Sequence, residues 1–321
     1  MKRLGTSETD LAHAADLLRH GELVALPTET VYGLAGDAAR PEVVQRIFTA
    51  KGRPADHPLI VHLPGIEALD DWAREVPEYA RRLAQAFWPG PLTLILNKHE
   101  HVADVITGGQ DTVGLRVPGH PVALKLLGML DISLAAPSAN RFGRISPTTA
   151  QHVISEFADS DAVAAVVDGG PCEVGVESTI VDCTGPTPRV LRPGMIDLEQ
   201  LAEVLGVMPD IAGQAEGPRA SGRLESHYAP ETRLELVDAD RLTRPDDSAA
   251  VLALEGMSDP GGFRAWLDLP AEPEGYARGL YAALRTLDAS GAERILVQRP
   301  PQQPAWAAIH DRLARAATDN N

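Results

Sequence analysis

Four short polar runs hold most of the side chains in this 321-residue chain that suit work on a charged small molecule. The first is Pro27-Thr28-Glu29-Thr30-Val31-Tyr32-Gly33-Leu34. It gathers hydroxyls, a carboxylate and a phenol directly after an apolar run, where α/β proteins place their ligand loops. A plain turn that caps a helix uses the same residue types. The second run is Lys51-Gly52-Arg53-Pro54. Basic residues offset the dipole at a helix C-terminus, and Gly52 suits the position after a last turn. Yet lysine stands only at positions 2, 51, 98 and 125, and arginine would serve a dipole equally well. A lysine and an arginine one residue apart, ahead of a rigid proline, suit a polyphosphate. The third run is Ala136-Pro137-Ser138-Ala139-Asn140, leading to Ser146-Pro147-Thr148. Small residues let a ligand approach the backbone, and Ser138 with Asn140 offers donors and acceptors for a phosphate or a carboxylate. A Pro-Ser turn and an N-cap at Ser146 are the alternative. The fourth is Gly175-Val176-Glu177-Ser178-Thr179-Ile180, followed by Arg189-Val190-Leu191-Arg192-Pro193-Gly194. It reads as strand, turn and strand, with Arg192 at a strand end where a cation faces a ligand. Arg116 stands within the otherwise apolar run 112–117; an arginine there is functional or held in a structural salt bridge.

Alternating helical and strand patterns from residue 10 to about 206 must position these runs. Asp10 caps a predicted helix with Leu11, Ala14, Ala15 and Leu18 on one face, and Gly21 ends it. Pro41 opens a second, with Val44, Ile47 and Phe48 on its apolar face. Strands are predicted at 23–26, 58–63, 91–96, 112–117, 132–136, 162–167 and 176–181. This is an α/β layered domain with a mostly buried sheet. Residues 207–231 show no sustained period and exceed ordinary loop lengths, so they read as a linker or a functional loop without a packed element. Strands at 233–237, 250–254 and 295–298, with helices near 274–289 and from 305, predict a small open α/β sheet. The expected division is 1–206, 207–231 and 232–321, with 318–321 frayed.

Composition narrows the function. Lys and Arg total 29 against 45 Asp and Glu, a net charge of −16. A free-standing nucleic-acid binder carries a basic footprint; here any phosphate must be held by a few well-placed cations. Cys172 and Cys183 are the two cysteines and no CxxC occurs, which argues against a disulfide scaffold and a cysteine zinc site. Glu8, Asp10 and Asp16 interrupt the one candidate signal segment. No apolar run reaches membrane-spanning length, so the cytoplasm is the expected location, with no membrane partner. There is no Walker A loop, GxGxxG, HExxH or EF-hand, so an ATP site would lie outside the common phosphate loops.

PTETVYGL, AKGRP, HPLIVH, WPGPLT, TVGLRVPGHP, APSAN, GVESTI and LRPG follow one another in this order. Over about residues 10–205 the chain thereby resembles the YrdC/threonylcarbamoyl-AMP synthase family. SHYAP at 226–230 and the second domain resemble the long, two-domain form. The resemblance implies an α/β fold: a twisted mixed-sheet YrdC-like domain around a concave, locally positive cavity, then a small Rossmann-like α/β domain. It implies an ATP-dependent synthesis of L-threonylcarbamoyl-adenylate from L-threonine, bicarbonate and ATP, with release of pyrophosphate. A separate, downstream threonylcarbamoyl transferase complex then modifies the tRNA adenosine beside the anticodon. By the same resemblance, the Lys–Arg and Ser–Asn signature falls on Lys51, Arg53, Ser138 and Asn140, with Lys51 and Arg53 catalytic. The threonine pocket falls on Thr28, His62, Arg116 and Ser178. ATP contacts fall on Lys51, Thr112, Ser138, Asn140, Ser146 and Arg192, with Tyr228 reaching in from the linker. Apart from the resemblance, the linker reads either as a lid that folds Tyr228 over the cavity or as a tether with Tyr228 packed where the second domain begins. Mg²⁺ accompanies ATP, and no protein side chain is assigned to it. The linker at 220–228 lacks the basic pair often found before the HYAP motif.

The sequence offers no Ser–His–Asp or Cys–His set, so catalysis is assigned to positioning and charge stabilisation. Arg116 is expected to hold the threonine carboxylate, and Thr28 with His62 to read its hydroxyl. Two rival readings stand beside this one. Carbamoyl transfer in hydrogenase maturation would bring CxxC zinc motifs and an acylphosphatase region, neither of which is visible in the sequence. A non-catalytic RNA-binding module, or a weak tRNA contact, meets the −16 charge, which opposes strong autonomous binding.

Overall fold

Strand β1 (Lys2–Leu4) and helix α1 (Glu8–Arg19) open the computed structural model, which describes residues 1–213, 216–222 and 228–318. The α1 cap is Ser7 rather than Asp10: the Ser7 hydroxyl accepts from the Asp10 amide at 3.2 Å, because Asp10 already sits in the first turn. The helix buries Leu11, Ala14, Ala15 and Leu18 as its spacing requires; each fully buried leucine contributes about 1.5–3 kcal/mol.

Strand β2 (Val24–Leu26) leads through the 27–32 loop to β3 (Gly33–Asp37), a strand absent from the sequence reading. Its residues, Gly-Leu-Ala-Gly-Asp, have low strand propensity. Pairing of its backbone with neighbours on both sides holds it extended. Then come α2 (Pro41–Lys51), β4 (Ile60–His62), α3 (Leu69–Trp72), α4 (Glu78–Phe87) and β5 (Leu92–Asn97). Next are α5 (Asp104–Thr107), β6 (Thr112–Arg116), α6 (Pro121–Leu130), β7 (Leu134–Ala135) and α7 (Ala150–Glu156). Strands β8 (Ala165–Val167), β9 (Thr179–Asp182) and β10 (Arg189–Arg192), helix α8 (Leu198–Leu205) and β11 (Asp210–Ile211) complete this part. Among the described residues these strands form one mixed sheet in the order β1-β8-β2-β3-β7-β4-β6-β5-β9-β10-β11. Leu23 and Ala25 face one apolar cluster with residues of α2 and α4; Val24 and Leu26 face the other with α1 and α6. That is the two-residue period of a strand buried on both faces.

The second sheet has β12 (Arg233–Val237), β13 (Ala249–Leu254), β14 (Ala265–Leu269) and β15 (Arg294–Gln298) in the order β12-β15-β13-β14, every pair parallel. Helices α9 (Pro273–Asp288) and α10 (Ala307–Ala316) accompany it. Strand β14 was not expected, since Asp268 interrupts a short run. One apolar cluster joins the two sheets' layers: Val31, Ile145 and Val176 meet Tyr228, Tyr281, Ile309 and Leu313. Gly175 (φ 83°) permits this approach, for a Cβ there would lie 2.4 Å from the Ala277 carbonyl oxygen on α9.

The reading of 207–231 as lacking any packed element is corrected. Strand β11 extends the large sheet beside β10. Arg219 and Gln110 exchange two hydrogen bonds, Arg219 N to Gln110 Oε1 at 2.7 Å and Gln110 Nε2 to Arg219 O at 3.1 Å. Tyr228 is buried. Residues 223–227, which include Ser226 and His227 of the SHYAP motif, lie outside the described residues, as do 319–321 of the tail. Among the described residues no helix is long and apolar enough to cross a membrane.

Candidate active site

A narrow cavity of about 50 Å³ opens beside the carboxyl ends of β4 and β6. The 27–32 loop, the ends of these strands, the 136–138 and 177–178 segments and linker residues Ser221, Gly222 and Tyr228 line it.

Parallel pairing of β4 with β6 sets His62 opposite Arg116. Both are buried, and both line the cavity. The Arg116 guanidinium pairs with Glu29 Oε1 at 2.6 Å and donates to the Thr30 hydroxyl at 3.0 Å and the Gly90 carbonyl at 3.2 Å. The two readings of Arg116 therefore meet in one residue: it is ion-paired, and it faces the space where an anion would sit. Burial, aided by the Arg116 charge, pulls His62 down to about 3. The ring is neutral near pH 7, and its Nδ1 has no partner among the described residues. The Thr28 hydroxyl donates to the Val31 carbonyl at 2.6 Å and accepts from the Thr30 and Val31 amides at 3.2 Å. This closes the loop as a hydroxyl turn. Ser178 also lines the cavity, its hydroxyl 2.8 Å from that of Thr93.

Arg53, Ser138, Arg192 and Tyr228 also line the cavity. Burial lowers Arg53 to about 10, still charged near neutrality. Its guanidinium reaches the Pro58 carbonyl at 2.9 Å and Ser221 Oγ at 3.2 Å. Arg192 donates twice to the Ser178 carbonyl, at 2.9 and 3.1 Å, and once to the Ser221 carbonyl at 2.9 Å. The linker is thus bonded to both cations. Three buried guanidiniums make the cavity locally positive inside a strongly acidic chain.

Four expected site residues stand elsewhere. Lys51 is one layer behind, only 2% exposed, its ammonium donating to the Ser138 and Asn140 carbonyls at 2.5 Å each. Lys51 does end a helix as expected, since α2 stops at Gly52 (φ 61°), but the lysine turns inward to clamp the Ser138–Asn140 loop. Burial first, and Arg53 second, depress its pKa. An ammonium has three protons, and one is unengaged among the described residues. Asn140 Nδ2 donates to the Arg141 and Arg144 carbonyls at 2.7 and 2.9 Å. Ser146 donates to Glu177 Oε1 at 2.6 Å and caps no helix; α7 is capped by Thr149. Thr112 lines a smaller crevice that shares Ile60 and Ser221 with the cavity.

Sequence reasoning missed Glu29 as the partner of Arg116, Ser221 as a partner of Arg53 and Arg192, and Arg312, which pairs with Glu177 at 2.8 Å. A signal for Arg312 existed: it falls among Ala308, Ile309, Leu313 and Ala316 on the apolar face of α10. A charge there needs a buried partner.

Comparison with known proteins agrees with this geometry. A Sua5/YciO/YrdC family model, described as telomere recombination, matches residues 16–194. One described as threonylcarbamoyl-AMP synthase, C-terminal domain, matches 196–318. A threonylcarbamoyl-AMP synthase of Pyrococcus abyssi is 41% identical over 95% of this chain and 93% of its own length. One from Bacillus subtilis is 38% identical over 98% and 94%. The crystal structure of P. abyssi Sua5 complexed with L-threonine superposes with a TM-score of 0.89 at 37% identity, covering 98% of this chain and 97% of that one. Two matching family models that run from 16 to 318 and full-length relatives at this identity place the chain in the Sua5/YrdC family of threonylcarbamoyl-AMP synthases, in its two-domain form.

Proposed function

We propose that this chain makes L-threonylcarbamoyl-adenylate from L-threonine, bicarbonate and ATP, releasing pyrophosphate. The observation that carries the reading is one cavity lined both by the paired His62 and Arg116 and by Arg53, Ser138 and Arg192. The first set suits an amino acid and the second a polyphosphate. The names of the full-length relatives support the same reaction.

In this reading the threonine amine adds to carbon dioxide with loss of a proton, or to bicarbonate with loss of water, to give a carbamate. A carbamate oxygen then attacks the α-phosphorus, and the bond to pyrophosphate breaks. Holding the two in line supplies up to about 7–11 kcal/mol. Arg116, oriented by Glu29, holds the substrate carboxylate, and neutral His62 with Thr28 reads the hydroxyl; Ser178 completes this pocket. Arg53, Arg192 and the third Lys51 proton meet the phosphates. Lys51 and Asn140 shape the loop that presents Ser138, while Ser146, Thr112 and Tyr228 border the nucleotide side. Mg²⁺ arrives on ATP as part of the substrate. Glu177, the carboxylate that lines the cavity, has both oxygens engaged by the protein, and among the described residues no three His, Cys, Asp or Glu side chains cluster for a metal. The adenylate passes to a separate transferase complex for tRNA modification in the cytoplasm, with any direct tRNA contact weak. We place the division at 1–206, 207–231 and 232–321, with the middle segment covering the site.

The test is pyrophosphate release together with adenylate formation, with each substrate omitted in turn. Turnover that ignores threonine or bicarbonate would sink the reading. A tRNA-binding isotherm that weakens steeply with salt would favour the RNA-binding alternative.

A further inference from the structure

Arg312 belongs to α10, beside the second sheet, yet its guanidinium ends under the cavity of the first. It is fully buried. Its Nε donates to Glu177 Oε2 at 2.8 Å, its Nη2 to the Glu177 carbonyl at 3.1 Å and its Nη1 to the Pro193 carbonyl at 3.1 Å. Helix α9 adds Tyr281, whose hydroxyl donates to Glu177 Oε2 at 2.8 Å. The other Glu177 oxygen takes the Ser146 hydroxyl. Glu177 lines the cavity, but with both oxygens engaged it is no free base. The Tyr228 ring lies 5.3 Å from the Arg312 guanidinium and stacks 5.8 Å from the Tyr281 ring.

Stability alone does not account for this arrangement. A buried arginine–carboxylate pair is often matched by apolar residues of the same volume; its best-attested use is to fix one arrangement among several. Here the shared apolar cluster already joins the two layers without direction. The hydrogen bonds of Arg312 supply direction, gripping both the side chain and the backbone of one cavity residue. We infer that Arg312, seconded by Tyr281, is a positioning residue for adenylate formation: it fixes Glu177, and with it Ser146 and the Tyr228 ring, so that the second domain completes the nucleotide side of the cavity. The inference rests on the reaction proposed above. The Arg116 end of the cavity has its own anchor, the Glu29 carboxylate, while Arg192 ties the Ser178 carbonyl to the nucleotide side.

The charged and titratable groups facing Glu177 are Arg312 from α10, Tyr281 from α9, Arg192 from β10 and Tyr228 from the linker, and Arg312 is also paired with Asp311 at 2.6 Å. Burial pushes the Glu177 carboxyl up, but Arg312, Arg192 and the Ser146 hydroxyl outweigh it and hold it at about 2.

The experiment uses the full chain, with ATP and threonine varied separately and the pH profile taken over roughly pH 5–9. Arg312→Met should raise the KM for ATP about tenfold, a size usual for coupled buried groups, and the KM for threonine far less. It should also create an acid limb, because Glu177 loses a neighbouring cation and takes its proton nearer neutrality. Glu177→Gln with Arg312→Met removes both charges; the acid limb should vanish while the KM for ATP stays raised. Arg312→Lys keeps the charge without the fork and should fall between. A merely structural role would lower the folded fraction and move neither the KM ratio nor the pH profile. A folded Arg312→Met protein with native ATP KM and native pH profile overturns the inference. Should that variant not fold, the double variant and Tyr281→Phe decide: native ATP KM in both overturns it, and a raised value supports it. The same proteins are titrated directly with ATP. An unmodified chain that binds ATP but fails to turn over refutes the reaction, while the effect on ATP affinity still decides the role of Arg312.

Discussion

Lys51 shows how a side chain can be identified as important and still be misjudged in place. Its two bonds to loop carbonyls make it a structural clamp as well as a phosphate candidate. Lys51→Met should therefore cost roughly 1.5–3 kcal/mol of stability, the worth of hydrogen bonds from a charged donor, and should also suppress adenylate formation. Urea unfolding and turnover on the same sample separate the two: near-native turnover in the folded variant would leave Lys51 the clamp alone. His62 yields a pH prediction. Its folded value, about 3, lies below the ordinary value of about 6.5. The unfolded chain therefore takes the proton first as pH falls, and the stability owed to a neutral His62 is full above about pH 6.5 and lost toward pH 3. In His62→Asn that share is absent, so the drop in urea midpoint between about pH 7 and pH 5 should shrink; an unchanged drop would place the ring in contact with water. Residue types and motif order were enough to gather Arg53, His62, Arg116, Ser138 and Arg192 at one cavity. The sequence alone does not say which donors face a ligand and which face a carbonyl, because that depends on which way a helix end turns.

At the scale of elements, hydrophobic periodicity found α1, α2, β5, β6 and most of the second sheet. Among the strands it missed are β3 and β14. The first is made of small residues that only their neighbours hold extended, and the second carries an aspartate. The linker defeated periodicity for another reason. Arg219 and Ser221 are fixed by hydrogen bonds to Gln110, Arg53 and Arg192, and Ala212 and Tyr228 enter apolar clusters at isolated positions that form no repeating face. Gly222 is a sharp probe of that segment. It has φ 80°, and a Cβ there would fall 2.1 Å from the Tyr228 hydroxyl. Gly222→Ala should displace Tyr228 and raise the KM for ATP about fivefold, equivalent to about 1 kcal/mol, and should also lower Tm, since φ 80° strains an alanine. An unaltered KM would show that the Tyr228 hydroxyl has no part in holding the nucleotide.

At the scale of the whole molecule, the two sheets share a core and a latch. Gly175 lies where α9 comes closest, and a methyl group there would collide with the Ala277 carbonyl and the Arg278 Cα. Gly175→Ala should cost roughly 1–3 kcal/mol through overpacking and should weaken ATP use together with thermal stability. A lowered Tm with native ATP KM would mean that the domains tolerate separation without consequence for the cavity. The latch also has a consequence in time. Glu177 and Arg312 are 135 residues apart in the chain. At the usual pace of protein synthesis, roughly 5–20 residues per second, the ribosome exposes the carboxylate some seconds to tens of seconds before its arginine. Until α10 emerges, Glu177 has only Ser146, Tyr281 and the Arg192 charge to lean on, and the Tyr228 ring has Tyr281 but no guanidinium beside it. A nascent chain can therefore fold its large sheet early yet acquire a finished nucleotide wall only when translation has passed residue 312.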